Sequence, residues 1–406
     1  MSEPLVIVGN GMAATRLVEE LTTRAKGRYA IAVVGDEPSL AYNRVLLSSV
    51  LAREVPADDI QLKPAGWWRD QGVTLVYGRR AVEIDTRQRF VRLRGGAKLG
   101  YGKLVIATGS EAVRLPMPGA DLPGVLTFRD KSDVATLLER ARPGARAVVI
   151  GGGLLGLEAA YGLMKAGMHV SLVHLMDRLM ERQLDARAGE LLKQAIEARG
   201  IEVVLNAESE AIQGRRKVAG LRLKDGRNIA ADLVVMAVGI RPCVQLARGA
   251  GLDVGRGIVV GDDLATSTPD VYALGECAEH RGVCYGLVEP AYEQARVLAG
   301  NLAGESARYT GSLLSTNLKV SGVSVFSAGE FLGGENMEPV VLSDPGRRTY
   351  RKLVIGEGRL KGAVLIGDTT DALWYLDLIR SGRPLSTLRN DLVFGRAFAE
   401  PEAQAA

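Results

Sequence analysis

With 406 residues, 47% of them hydrophobic and 24% charged, the chain has ordinary globular composition and enough length for two or three domains with separate cores. A net charge of +4 without any lysine or arginine run, and only 5% aromatic residues, exclude nucleic-acid binding as the main task. Three cysteines, Cys243, Cys277 and Cys284, none in a C-x-x-C pair, exclude a disulfide scaffold and fall short of the four thiolates an iron-sulfur cluster normally takes, so no metal site is expected.

The chain reaches an apolar strand by Leu5, which leaves no room for a signal peptide, and the long apolar stretch Val148 to Met164 carries Glu158 and several glycines. A cytoplasmic protein without a membrane span is the expectation. Leu5-Val6-Ile7-Val8 leads into Gly9-Asn10-Gly11-Met12-Ala13-Ala14, a G-x-G-x-x-A turn, then a helix through Leu21 and a strand at Ala30 to Val34. In such a unit the first glycine makes the tight turn, the second lets a pyrophosphate approach the backbone, and the third small residue lets helix and strand pack. The phosphates sit on the helix N-terminus, where unpaired amides and the macrodipole favour anions. Gly35-Asp36-Glu37 follows the second strand, where a ribose needs an acceptor. Asp36 is the first choice and Glu37 the alternative.

Next comes Ala41-Tyr42-Asn43-Arg44-Val45-Leu46-Leu47-Ser48-Ser49. It resembles the Pro-Tyr-x-Arg-x-x-Leu-Ser-Lys stretch of flavin-dependent pyridine-nucleotide reductases of the ferredoxin- and rubredoxin-reductase type. The resemblance implies that Arg44 contacts the FAD phosphates. Ser49 stands where many relatives have a lysine beside flavin N5, so that lysine's role does not carry over. A short helix is expected at Lys63 to Gln71, its Trp67 and Trp68 read as core. Strands at Val73 to Tyr77, Ala81 to Ile84 and Phe90 to Leu93 lead to Leu104-Val105-Ile106-Ala107-Thr108-Gly109-Ser110. By resemblance Ala107, Thr108 and Gly109 lie at the flavin, as do Met12, Ala13, Ser49, Ala81 and, in Phe128-Arg129-Asp130, Arg129. The runs Leu115-Pro116-Met117-Pro118-Gly119 and Leu122-Pro123-Gly124 read as a linker.

A second unit follows: the strand Ala147 to Ile150, Gly151-Gly152-Gly153-Leu154-Leu155-Gly156, a helix from Leu157 to Ala166, Gly167, and a strand at His169 to His174. G-x-G-x-x-G in this context predicts a second dinucleotide site, with Gly151, Gly153, Leu154, Leu155 and Gly156 around the pyrophosphate. By resemblance Glu158 lies near the nicotinamide and Gly239 borders the nucleotide. His174 occupies the position at which NAD-specific members have a ribose-binding glutamate, which implies NADH preferred only weakly, with NADPH accepted and Arg178 available to help it. Two further runs match the family: Leu179 to Asp185, and Val234 to Pro242.

Val271-Tyr272-Ala273-Leu274-Gly275-Glu276-Cys277-Ala278 resembles the second flavin motif, with Gly275 at the flavin and Glu276 as acceptor for a ribityl hydroxyl. Pro290, in Glu289 to Ala295, belongs to a helix whose N-terminus faces the isoalloxazine. From Thr310 onward the pattern turns to short alternating strands, at 324–328, 340–342, 351–355 and 360–366, then a helix with Trp374 and Tyr375.

The runs Leu318 to Gly395 and Gly275 to Gly286, and the His174 variant, are similar to the flavin portion of assimilatory NAD(P)H nitrite reductase large subunits. The resulting expectation is an α/β fold with two Rossmann-like dinucleotide-binding domains, for FAD and NAD(P)H, plus a C-terminal α+β domain. The divisions fall at 1–113 and 242–309 for the FAD domain, 114–241 for the NAD(P)H domain, 310–396 for the last domain, and 397–406 for a tail. Hydride passes from nicotinamide C4 to flavin N5 in such enzymes, and electrons leave for a separate redox protein, here an iron-sulfur or nitrite/nitrate reductase component. Homodimer contacts are left open to the C-terminal domain. A flavin-binding redox sensor and an NADH oxidase are the alternative readings.

Overall fold

The structure, a computed structural model, describes residues 2–320 and 322–400; positions 401–406 of the expected tail lie outside the described residues. Its β-branched runs build two parallel sheets. In the first, Glu3–Val8 is central between Lys103–Ile106 and Tyr29–Val34, with Val271–Ala273 and Thr74–Val76 at the edges. In the second, Arg146–Ile150 is central between His169–Val173 and Leu233–Met236, with Ile201–Val204 and Val125–Thr127 outside. Both central strands are apolar on both faces, as parallel strands covered by helices must be. Each feeds through its glycine turn into a helix, Met12–Arg24 or Leu154–Lys165.

Each parallel sheet carries a small antiparallel companion, Ala81–Asp85 with Phe90–Leu93 and Lys98–Gly100, or Ser209–Gly214 with Val218–Leu223 and Asn228–Ala230. The chain leaves the first unit along Ser110–Ala112 and returns along Ile240–Pro242, and these two segments pair antiparallel. The proline-rich run at 115–124 is not a free tether. Leu115, Met117, Ala120 and Leu122 pack into the second unit's core, and the Ile212 amide donates to the Pro118 carbonyl at 2.8 Å. The short helix begins at Ala65, after Pro64, and Trp68 is buried in the first core.

The last unit is a five-stranded antiparallel sheet in the order Ser315–Val320, Val323–Gly329, Arg359–Ile366, Thr349–Gly356, Glu338–Asp344. One face takes the helix Ala372–Ser381 through Tyr375 and Leu378. The other face, with Val325, Tyr350, Val364 and Ile366, shares a core with Leu192 of the second unit and Leu51 of the first. Leu51 belongs to the short helix Leu47–Leu51, which lies against Leu154–Lys165 and wedges the first unit into the other two. Its approach is close enough that a Cβ on Gly162 would stand 2.5 Å from Leu51 Cγ.

Candidate dinucleotide sites

The glycines of the first turn divide their work as the motif requires. Gly9 holds φ +124°, and a Cβ there would collide with the Ala107 carbonyl. Gly11 meets nothing within 4 Å, so its face is open. Ala14 is fully buried at the helix–strand contact. The helix beginning at Met12 has Gly11 as its cap, with no side-chain capping bond and no acid in its first turn, which leaves its amides for an anion. Asn10 Oδ1 is buried without a hydrogen-bond partner among the described residues. An open glycine face and uncapped helix amides together fit the pyrophosphate of FAD. Ala13 comes close to Gly275, where a Cβ would lie 3.1 Å from its methyl, so the second flavin motif docks beside the first turn.

Around this cradle the structure gathers a polar rim. Glu37 receives hydrogen bonds from Tyr42 Oη, at 2.7 Å, and from the Arg44 guanidinium, which also donates to the Arg129 carbonyl at 3.1 Å. Asp36, the first choice from sequence, instead faces Arg80 at 2.6 Å with half of its side chain exposed, so the alternative, Glu37, is the acid joined to the other cofactor candidates. Glu276 is paired with Arg129 and accepts from Ser110 Oγ at 2.7 Å. Thr108 Oγ1 donates to the Cys243 carbonyl at 2.7 Å, while the Cys243 amide donates to the Gly109 carbonyl at 2.9 Å. Gly109, at φ +66°, turns the chain there. Ala81 is buried in the first core, apart from this network. Pro290 is buried in the first turn of Val288–Ala303, whose Gln294 accepts the Gly275 amide at 2.7 Å.

The second turn repeats the division: Gly151 at φ +117° against the Ala237 carbonyl, Gly153 open, Gly156 in contact with the Gly151 carbonyl. Leu154–Lys165 likewise starts without a side-chain cap or a first-turn acid. Leu154 and Leu155 pack against the shared core, and Gly239, at φ +116°, meets nothing within 4 Å. His174 departs from expectation. It is buried at 8% exposure, its Nδ1 accepts the Gly152 amide at 3.0 Å, and its Nε2 lies 3.1 Å from Glu181 Oε2. Its ring lies under the glycine turn and does not offer itself to a ribose. Gly152, which the motif leaves unspecified, is glycine because a Cβ would stand 2.6 Å from that ring. Arg178 is engaged as well, by Asp177 at 2.9 Å and the Leu184 carbonyl at 3.3 Å.

Glu158 lies on the face of Leu154–Lys165 where the first and second units meet. Burial pushes its carboxyl up to about 8, while the nearby Ser48 side chain acts in the opposite direction. The carbonyl of Ser49 accepts the Glu54 amide at 2.8 Å. Burial also raises all three thiols, Cys243 to about 11, so none is poised as a nucleophile.

Two glycine cradles on two parallel sheets, one unit inserted into the other, define an oxidoreductase built around two dinucleotides. The chain belongs to the pyridine nucleotide-disulphide oxidoreductase family, whose model matches residues 3–297, and residues 315–383 match the rubredoxin NAD+ reductase C-terminal domain. FAD and NAD(P)H are accordingly its cofactors. It is 46% identical over 383 residues to a nitrite reductase [NAD(P)H] of Bacillus subtilis, covering 94% of this chain and 48% of that protein. It is 41% identical over 390 residues to the assimilatory nitrate reductase electron transfer subunit of the same organism, covering 96% and 51%. The chain thus spans about half the length of these relatives. Among solved structures it superposes on the covalent putidaredoxin reductase–putidaredoxin complex with a TM-score of 0.89 at 25% identity, covering 100% of this chain and 99% of that one.

Proposed function

We propose that this protein is an FAD-dependent NAD(P)H reductase that passes electrons to a separate redox protein of the nitrite or nitrate assimilation type. The observation that carries it is the packing of Leu47–Leu51 on Leu154–Lys165, which sets the two glycine-turn units against each other and brings Ser48 near Glu158. Bound FAD supplies hydride acceptance and release of electrons one at a time; the chain's own task is alignment and exclusion of water. In this reading Gly11 and the helix amides hold the flavin dinucleotide, Arg44, Glu37, Arg129 and Glu276 orient it, and Glu158 holds a proton where the units meet. Names of relatives support an external acceptor: one is an electron transfer subunit, another a reductase complexed with putidaredoxin. The raised thiols count against disulfide reduction. We place the protein in the cytoplasm; among the described residues no helix is long and apolar enough to cross a membrane.

The test is turnover. NADH with ferricyanide should cycle rapidly, whereas nitrite and NADH should yield no ammonium until a cluster-bearing partner is added. Slow reduction that leaves the protein reduced would instead indicate a sensor, and ammonium formed by this chain alone, free of iron, would overturn the division of labour.

A further inference from the structure

The position at which a Rossmann unit offers an acid to the adenosine ribose lies about 20 residues after the glycines, at the end of the second strand. Here that position is His174, and its ring is turned inward. Its two nitrogens are assigned by their partners. The Gly152 amide donates to Nδ1 at 3.0 Å, so Nδ1 carries no hydrogen. The hydrogen therefore belongs to Nε2, which can donate to Glu181 Oε2 at 3.1 Å. The carboxylate that the strand end lacks is thus present one imidazole further out.

The loop that delivers it is fixed to the same glycine. The Met180 amide donates to the Gly152 carbonyl at 3.0 Å, and Leu179, fully buried, would lie 2.8 Å from a Cβ on Gly152. Both polar groups of Gly152 are therefore held by residues 174 and 180, and Glu181 is the next residue along. Its side chain is 23% exposed, against 10% for His174, so the acid is open to a ligand while the imidazole is not. Its other oxygen lies 3.9 Å from Arg182, whose side chain is 87% exposed. Arg178, the other nearby cation, is tied back to Asp177 and Leu184.

We infer that Glu181, oriented by His174, is the specificity-determining acid for the nucleotide ribose, accepting its free hydroxyls and repelling a 2′-phosphate. This rests on the nicotinamide-nucleotide reading of the second cradle. NADH preference is then firm, contrary to the weak preference expected from His174 alone. His174 is a positioning residue and acts only through Glu181.

The test is calorimetric binding of NAD+ and NADP+ to the FAD-loaded protein. Wild type should bind NAD+ more tightly. Glu181→Gln keeps an acceptor for His174 and removes the charge; it should weaken NAD+ about tenfold and narrow the NAD+/NADP+ ratio by at least as much. His174→Asn should shift the ratio the same way, and the double variant should go little further. Should Glu181→Gln lose its flavin absorbance through misfolding, Glu181→Ala serves for the same comparison. A ratio unchanged within about twofold in a folded Glu181 variant overturns the inference alone. Failure of wild type to bind either nucleotide overturns it together with the reading beneath it.

Discussion

Gly9 and Gly11 are two residues apart and fail in different ways when changed. A side chain at Gly9 meets the protein's own Ala107 carbonyl and a positive φ, so Gly9→Val should destabilise the fold. A Cβ at Gly11 has no protein atom within 4 Å, so Gly11→Val should leave the apoprotein melting as wild type does and yet unable to take up FAD, a contrast read from thermal melts beside flavin absorbance. Glu158 makes a second prediction at this scale. Between its ordinary 4.5 and about 8 the folded chain keeps a proton that the unfolded chain has released, so stability falls as pH rises through that window and levels off above it. The cost at the upper end is on the order of a few kcal/mol. Glu158→Gln should therefore be more stable than wild type at pH 8 and no more stable near pH 4.5 in denaturant titrations. Equal stability at both would mean that Glu158 is open to water and titrates in the folded chain as it does in the unfolded one. The glycines were legible from the sequence because their constraint is local, backbone against backbone within one turn. His174, Glu181 and Gly152 were not, since an imidazole folding under a glycine turn depends on side-chain direction, which spacing does not encode.

At the scale of elements, apolar runs and glycine turns marked both parallel sheets, and alternation marked the strands at 323–329 and 349–366. Val125–Thr127 and Ser315–Val320 went unmarked, being too short or too polar to stand out. The proline-rich run looked like a linker because its composition punctuates the chain, yet its leucines dock on the second unit. The contact between Leu47–Leu51 and Leu154–Lys165 has a testable dimension. Leu51 is 1% exposed and lies where a Gly162 Cβ would point, so Gly162→Ala overpacks the seam. It should cost about 1–3 kcal/mol, and combination with Leu51→Ala should recover part of the loss. Simple additivity of the two changes in thermal melts would show that the helices do not press on each other there.

At the scale of the molecule, one core takes side chains from all three units: Leu51, Leu192 and Val364. Units that share a core cannot lose it one at a time, so calorimetry of the FAD-loaded protein should give a single main transition. A separate early transition for residues 315–400 would contradict that packing. The first sheet has a different history. Lys103–Ile106 waits for its edge partner Val271–Ala273 until about 165 residues later, after the whole inserted unit. On a ribosome that interval lasts roughly 8–33 s at the usual elongation rates. Throughout it, the Leu104-Val105-Ile106 edge stands unpaired, with the hydrogen-bonding row that recruits foreign strands. The nascent chain is therefore most exposed to aggregation while its inserted unit is being made, and chaperone capture should peak on chains stalled between residues 150 and 270 and fall once Val271–Ala273 has emerged.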